Sequence, residues 1–177
     1  MTEYRKLKKE EIARELFDQF IRHQAVTKCW RRDENGAWCI REDPFIDDWS
    51  EDDYDKLVKC LGNTAASGGL VYGAFCEGAL KGFVSVEPGL FGGENRYLDL
   101  SSIHVSEDMR GQGIGRALFL AAKKWAGENN GGKLYISAHS AVESQNFYRA
   151  MGCTEAVQYN REHVEQEPYD CQLECKV

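Results

Sequence analysis

Hydrophobic and polar residues alternate in a way that predicts a mixed α/β domain over residues 70–177. Runs with the two-residue period of strands lie between turn residues, and stretches with the helical spacing of three or four residues interrupt them. The predicted strands are residues 70–76, 79–87, 96–105, 133–138, 154–159 and 169–176. The predicted helices are residues 115–126 and 142–151. This order is typical of a sheet that is covered by helices.

The first 69 residues carry weaker patterns. The predicted elements are a strand at residues 2–7, an amphipathic helix at 9–23, and a helix at 53–61 followed by a loop of small residues at 63–69. Residues 27–40 contain the turn signal Asp33-Glu34-Asn35-Gly36 between two tryptophans. We interpret that segment as either a hairpin or an irregular loop.

Length and charge limit the class of protein. The 177 residues are enough for one domain with a full core, spanning residues 1–177. No apolar run reaches the roughly 20 residues of a membrane span, and residues 1–11 lack the apolar region of a secretory signal. We therefore expect a cytoplasmic protein with no membrane partner. The net charge of −7 argues against a nucleic-acid partner and mildly favours a cationic or neutral substrate.

Seven cysteines are many for this length, but their spacing is not that of a metal site or a disulfide framework. No C-x-x-C pair occurs, and the four histidines do not fall at metal-ligand spacing with the cysteines. We interpret the cysteines as reduced core residues and expect no metal.

The most informative local pattern is a glycine-rich loop, Arg110-Gly111-Gln112-Gly113-Ile114-Gly115, between the predicted strand 96–105 and the next helix. Glycines let the backbone approach a ligand, and the helix start offers free N–H groups and the positive end of its dipole. Such a loop predicts an anion site, most naturally for a pyrophosphate. The spacing matches neither the dinucleotide fingerprint G-x-G-x-x-G nor the phosphate loop G-x-x-x-x-G-K-[ST].

The same six residues resemble the R/Q-x-x-G-x-G/A loop of the GCN5-related N-acetyltransferases (GNAT). A second segment, from Glu143 to Cys153 with Phe147-Tyr148 at its centre, resembles that family's other signature, with cysteine where an aromatic residue is usual. The resemblance covers roughly residues 70–173. It implies the GNAT fold, a mixed and mostly antiparallel α/β sheet of six to seven strands, flanked by helices and splayed at a central parallel pair.

The resemblance also implies that acetyl-CoA is the co-substrate and that residues 70–177 form the CoA-binding core. The loop N–H groups would hold the pyrophosphate, and strand 103–105 would pair with the pantetheine arm. The residues expected to contact acetyl-CoA are Ile103, His104, Val105, Arg110, Gly111, Gln112, Gly113, Ile114, Gly115, Arg116 and Asn146.

The reaction implied is direct attack of a primary amine on the acetyl thioester. Tyr148 is the expected proton donor to the departing thiolate. The base stays open among Asp99, Glu87 and water. Strand alternation predicts that Asp99 shares a face with Ser101 and Ile103, whereas His104 would lie on the opposite face and pack.

The acceptor is expected to be an amine of a small molecule or peptide. Residues 1–69 would supply much of its site. Residues 42–55 carry eight acidic residues and several aromatic ones, which predicts either a cation-attracting lip or a solvated segment that caps a helix at Ser50. A catalytically silent acyl-CoA-binding sensor or scaffold is the alternative function, and the resemblance leaves a homodimer open.

Overall fold

A seven-stranded mixed sheet lies at the centre of the computed structural model, which describes all residues from Met1 to Val177. Its strands, in spatial order, are β1 (Thr2–Lys6), β4 (Leu70–Cys76), β5 (Ala79–Val86), β6 (Tyr97–Val105), β7 (Lys133–Ala138), β9 (Cys171–Lys176) and β8 (Thr154–Glu155). Strands β6 and β7 are parallel, and every other neighbouring pair is antiparallel. The sheet therefore has the predicted size and mixed pairing.

Helices cover both faces of this sheet. They are α1 (Glu51–Ala66), α2 (Ile114–Glu128), α3 (Val142–Ala150) and α4 (Arg161–Gln166), with short 3₁₀ turns at Lys9–Glu11, Arg14–Phe17, Gly93–Asn95 and Glu107–Met109. A cluster of 19 buried residues lies beneath α2 and α3, and a second cluster of 10 lies beneath α1. None of the helices combines the length and apolar character that a membrane span requires.

Residues 27–40 belong to a hairpin that is longer than the predicted one. Strands β2 (His23–Arg32) and β3 (Trp38–Asp48) pair around the turn that contains Gly36, whose φ is 77°. The hairpin forms its own two-stranded sheet. One of its contacts with the rest of the protein is at Trp30, whose backbone N–H donates to the Ser140 carbonyl at 2.8 Å. It therefore stands beside the C-terminal end of β7.

The predicted helix at residues 9–23 is wrong. The segment consists of the two short 3₁₀ turns, a further turn and irregular chain that leads into β2. Three of its apolar residues, Ile12, Phe17 and Phe20, are buried nonetheless, and Phe17 packs edge-on against Phe83 with ring centroids 5.5 Å apart. Tertiary contacts of this kind bury the apolar side chains without a continuous helix, so the helical spacing was misleading.

The predicted bounds of α1 were too short at both ends. Ser50 and Asp53 form a capping box that begins the helix at Glu51. The helix continues past Gly62 to Ala66 because Leu61 and Thr64 are buried on its inner face, so the predicted loop at 63–69 begins only after Ala66.

At the other end of the chain, the predicted strand 154–159 is only two residues long. A short helix that the pattern did not reveal, α4, follows it and is capped by Asn160.

Candidate active site

The two parallel strands at the centre of the sheet separate after three residue pairs. Tyr97, Leu98 and Asp99 of β6 lie opposite residues 133–135 of β7, and no pairing continues beyond them. A cleft of about 930 Å³ opens at this point, between the later residues of β6 and β7. The splay predicted from the family resemblance is therefore present, and it leaves one edge of β6 without a strand partner.

A β-bulge in β6 decides which side chains enter the cleft. Val86 lies opposite Leu100 and Ser85 lies opposite Ser102, so Ser101 is an extra residue on β6. The bulge reverses the alternation. Ser101 bonds to Ser85 with 2.8 Å between the hydroxyl oxygens, whereas Ile103 and Val105 pack on the other face with the core beneath α2. The expectation that Asp99, Ser101 and Ile103 share one face is therefore wrong for Ile103.

The glycine loop forms one end of the cleft. Gly111 and Gly113 have φ values of 77° and 81°, a left-handed conformation that favours glycine. Gly113 is also the N-cap of α2 and offers no capping side chain. None of the backbone N–H groups of residues 111–116 donates a hydrogen bond within the protein. The loop is therefore a cradle of free donors at a helix N-terminus, which fits a pyrophosphate.

Helix α3 brings Phe147 and Tyr148 to the same cleft. The helix ends in a Schellman motif: Gly152, with φ 84°, donates to the Arg149 carbonyl, and Cys153 donates to the Tyr148 carbonyl. Tyr148 is only 8% exposed, and its hydroxyl makes no hydrogen bond within the protein. Burial raises the pKa of Tyr148 well above its ordinary value of 10, with smaller contributions from the charges of Cys153 and Asp170.

The opposite wall of the cleft is aromatic and basic. His104 lies on the face away from Ile103, as expected, and its ring meets Trp49 with 4.7 Å between centroids. Burial, with smaller contributions from the charges of Arg22 and Arg110, lowers the pKa of His104 from 6.5 to about 3. Arg22 packs over the ring of Trp49 at 5.2 Å and forms an ion pair with Asp47. His104 is therefore neutral at physiological pH.

Only part of the acidic segment 42–55 contributes to the cleft. Asp47 and Trp49 line it, but several other acids pair with basic side chains elsewhere: Asp43 with Arg31, Asp48 with His23 and Glu51 with Arg14. Ser50 and Asp53 serve the capping box. Four of the eight acids thus serve ion pairs or the helix cap outside the cleft lining, and Asp47 and Trp49 are the residues of the segment that line the cleft.

Most of the residues predicted to bind acetyl-CoA line the cleft. They are Ile103, His104, Val105, Arg110, Gly111, Gly113, Ile114, Gly115 and Arg116. The side chains of Gln112 and Asn146 are exposed and lie outside it.

The two predicted bases also lie outside the cleft lining. Asp99 Oδ2 is 2.8 Å from His163 Nε2 of α4. Glu87 Oε1 accepts hydrogen bonds from the hydroxyls of Thr64 at 2.7 Å and Ser101 at 2.8 Å.

The structure adds residues that no sequence motif indicates. Ser137, His139 and Asp170 line the cleft at the C-terminal end of β7, and Arg22 lines it from the segment before the hairpin. Asp170 is half-buried and accepts a hydrogen bond from the Ser137 hydroxyl at 2.9 Å. The sequence pattern indicates the place of Asp170 only indirectly. If the last strand pairs antiparallel with β7, the residues at its start must lie beside the C-terminal end of β7.

Comparison with protein families decides the classification. The model of the acetyltransferase (GNAT) family matches residues 24–153, which is more than half of the chain. The chain belongs to the GNAT acetyltransferase family. Acetyltransferases of this family use acetyl-CoA as the acetyl donor. The free backbone N–H groups of the glycine loop suit the pyrophosphate of that molecule. The GNAT match includes both the loop and the α3 segment.

Solved structures give the same fold for this GNAT protein. Nourseothricin acetyltransferase is 22% identical, with a TM-score of 0.66, and the match covers 98% of this chain and 95% of that one. A putative streptothricin acetyltransferase from Bacillus anthracis, in complex with acetyl-CoA, is 16% identical, with a TM-score of 0.70 and coverage of 98% and 96%. PaiA N-acetyltransferase from Thermoplasma acidophilum, in complex with CoA, is 17% identical, with a TM-score of 0.60 and coverage of 100% and 99%. A search of curated protein sequences finds no match.

Proposed function

We propose that this protein transfers the acetyl group of acetyl-CoA to a primary amine of a small molecule or peptide, by direct attack of the amine on the thioester. The observation that carries the proposal is the meeting of two features in one cleft. The free N–H groups of residues 111–116 and the buried phenol of Tyr148 both lie where β6 and β7 separate.

Each part of the cleft has a role in this proposal. The loop N–H groups bind the pyrophosphate, and the unpaired edge of β6 binds the amides of the pantetheine arm as a sheet edge binds a peptide. Tyr148 donates a proton to the departing thiolate, since its phenol is protonated at neutral pH. A donor N–H from the open strands would polarise the thioester carbonyl.

A catalytically silent acyl-CoA-binding sensor or scaffold would need the loop but not the phenol. The Tyr148 hydroxyl makes no hydrogen bond within the protein and Tyr148 lines the cleft, so the hydroxyl is free to act on a bound ligand, which a tyrosine that serves only in packing would not need. The free hydroxyl of Tyr148 at the cleft therefore favours an enzyme. A cytoplasmic location and a homodimer stay predictions.

The test is a release assay with a panel of amines. The purified protein is incubated with acetyl-CoA and, separately, with spermidine, n-butylamine, kanamycin, L-lysine and a lysine-containing peptide, and free CoA thiol is measured. We expect saturable thiol release with at least one amine and a product heavier by one acetyl group. Tight CoA binding with no release from any amine would instead favour the sensor.

A further inference from the structure

Asp170 stands at the end of a directed chain of hydrogen bonds. The backbone N–H of Asn160 donates to the Tyr135 hydroxyl at 2.8 Å, and the Tyr135 hydroxyl donates to Gln172 Oε1. Gln172 Nε2 then donates to the Ser137 hydroxyl oxygen at 3.0 Å. Since that oxygen accepts from Gln172, the Ser137 proton is directed to Asp170 Oδ2, at 2.9 Å.

This chain is built from buried groups. Tyr135 is fully buried and Gln172 is 2% exposed. Buried polar groups of this kind are costly unless every partner is satisfied, and here each donor meets an acceptor. The chain fixes one oxygen of Asp170 and leaves the other, Oδ1, without a hydrogen bond within the protein. A carboxylate is thus held at the cleft with one oxygen free.

The position of Asp170 relates it to the reacting groups. Ala138 of β7 lies opposite Cys171 of β9, so Asp170 follows in register beside the C-terminal end of β7, where the central strands have separated. Asp170 and Tyr148 line the same cleft, and the charge of Asp170 is one cause of the raised pKa of the phenol. The two groups therefore act on one another across the site.

We propose that Asp170 is the residue that binds the acceptor ammonium and removes its proton, which makes the acceptor a cationic amine. This rests on the proposed function. Asp99 and Glu87 are less suited, because the hydrogen bonds to His163, Thr64 and Ser101 engage them outside the cleft lining.

The proton and electron balance is complete. Asp170 takes one proton from R–NH₃⁺, and the free amine attacks the thioester carbon. The C–N bond forms, the C–S bond breaks, and the bonding electrons go to sulfur. Tyr148 protonates the thiolate, and the second proton lost by the nitrogen restores the phenol. Asp170 releases its proton to solvent, so the products are the amide, CoA-SH and one proton.

The surroundings of Asp170 suit a base. Burial raises its pKa above the ordinary value, and the charge of Glu167 raises it further. The hydrogen bond from Ser137 and the charges of His139 and His163 lower it, without cancelling the rise. A carboxylate with a raised pKa is a stronger base, which suits proton removal near neutral pH.

The test uses Asp170→Asn, which is isosteric and can still accept the hydrogen bond from Ser137. With an amine that passes the release assay, we expect kcat/KM at pH 7 to fall by about 100-fold or more. Above pH 7 the rate of the variant should rise about tenfold per pH unit, because only amine already deprotonated in solution reacts. The defect should therefore shrink towards pH 9, which a merely structural role would not produce. Melting temperature and CoA affinity should match the wild type.

Glu165→Gln is the matched control, since it removes an exposed carboxylate from α4, outside the cleft lining. It should behave as the wild type does. A fully active Asp170→Asn at pH 7, or a defect that stays constant with pH, would overturn the assignment.

A binding measurement separates this proposal from the proposed function. Calorimetric titration of the CoA-saturated protein with n-butylamine and spermidine should give affinities that are about 10–100-fold weaker in Asp170→Asn, the usual loss for a charged hydrogen bond. If no amine releases thiol but this difference is found, the proposed function fails and the ammonium site stands. If neither amine binds the wild type, or if both bind the variant equally, the Asp170 assignment fails.

Discussion

Removal from water raises the pKa of both Tyr148 and Asp170. The phenol, which is protonated at neutral pH even at its ordinary pKa, stays protonated. The carboxylate becomes a better acceptor of protons. His104, which titrates near neutral pH in water, is removed from that range because burial and nearby arginines disfavour its charge. At the residue scale, burial therefore assigns the protonation states.

The role of Tyr148 can be tested by Tyr148→Phe, which removes only the hydroxyl. We expect kcat to fall about 100-fold, because the leaving thiolate loses its proton donor, while the affinity for acetyl-CoA stays within about twofold. Steady-state kinetics and calorimetry measure the two effects. Tyr72→Phe is the control, since that hydroxyl makes no hydrogen bond and lies outside the cleft lining. An unchanged kcat in Tyr148→Phe would rule out the donor role.

At the scale of single elements, the loop and α2 act as one unit. Gly111 and Gly113 turn the chain through left-handed backbone conformations so that the first N–H groups of α2 face the cleft. A Cβ at either position would meet no atom within 4 Å, so the requirement for glycine comes from backbone conformation alone. Gly115 differs, because a Cβ there would lie 3.3 Å from Phe147 of α3. Close approach of two elements explains that glycine.

Backbone conformation predicts opposite effects on stability for glycine-to-alanine substitution at two positions, Gly113 and Gly127. Gly113→Ala should destabilise the protein by about 1–2 kcal/mol, because alanine is strained at φ 81°, and it should weaken CoA binding. Gly127→Ala, in open space within α2, should stabilise by about 0.5–1 kcal/mol and leave CoA binding unchanged. Urea denaturation and calorimetry provide the measurements. Equal stability changes in the two variants would contradict the backbone explanation.

At the scale of the whole molecule, the opening between β6 and β7 divides the cleft into two halves. The glycine loop and α3 form one half. The other half combines segments that are distant in the sequence: the chain before the hairpin, the end of β3, the end of β7 and the turn before β9. 

Arg22 and Asp170 both line this second half of the cleft. Because these pieces are held together by the folded sheet, a ligand that bridges them should stabilise the whole protein.

Acetyl-CoA should therefore raise the melting temperature. At a concentration of 100 times its Kd, it should contribute about 2.7 kcal/mol, which corresponds to roughly 5–10 °C for a chain of this size. Differential scanning calorimetry with and without acetyl-CoA measures the shift, and NAD⁺, which also carries a pyrophosphate, is the control. A shift of the same size with NAD⁺, or none with acetyl-CoA, would contradict the proposed donor site.

The elements of residues 70–152 were largely predictable from the sequence. Strands β4, β5, β6 and β7 and helices α2 and α3 lie within a residue or two of their predicted bounds, because each has a clear period and a turn or glycine at its end. The N-terminal segment was less predictable, since Ile12, Phe17 and Phe20 are buried through tertiary contacts rather than on one face of a helix. The bulge at Ser101 gave no signal, and it changed the face of Ile103.

By itself, the sequence determined the donor half of the site. The glycine loop and the Phe147-Tyr148 helix are contiguous motifs, and local backbone geometry alone makes a cradle of N–H groups from the loop. Only the tertiary structure decided the half that we propose for the acceptor. Arg22, Trp49, His139 and Asp170 are far apart in the chain, and they meet because the parallel strands separate and the hairpin and β9 close around the opening. Contacts between distant residues leave no local pattern, whereas a loop that binds through its own backbone does.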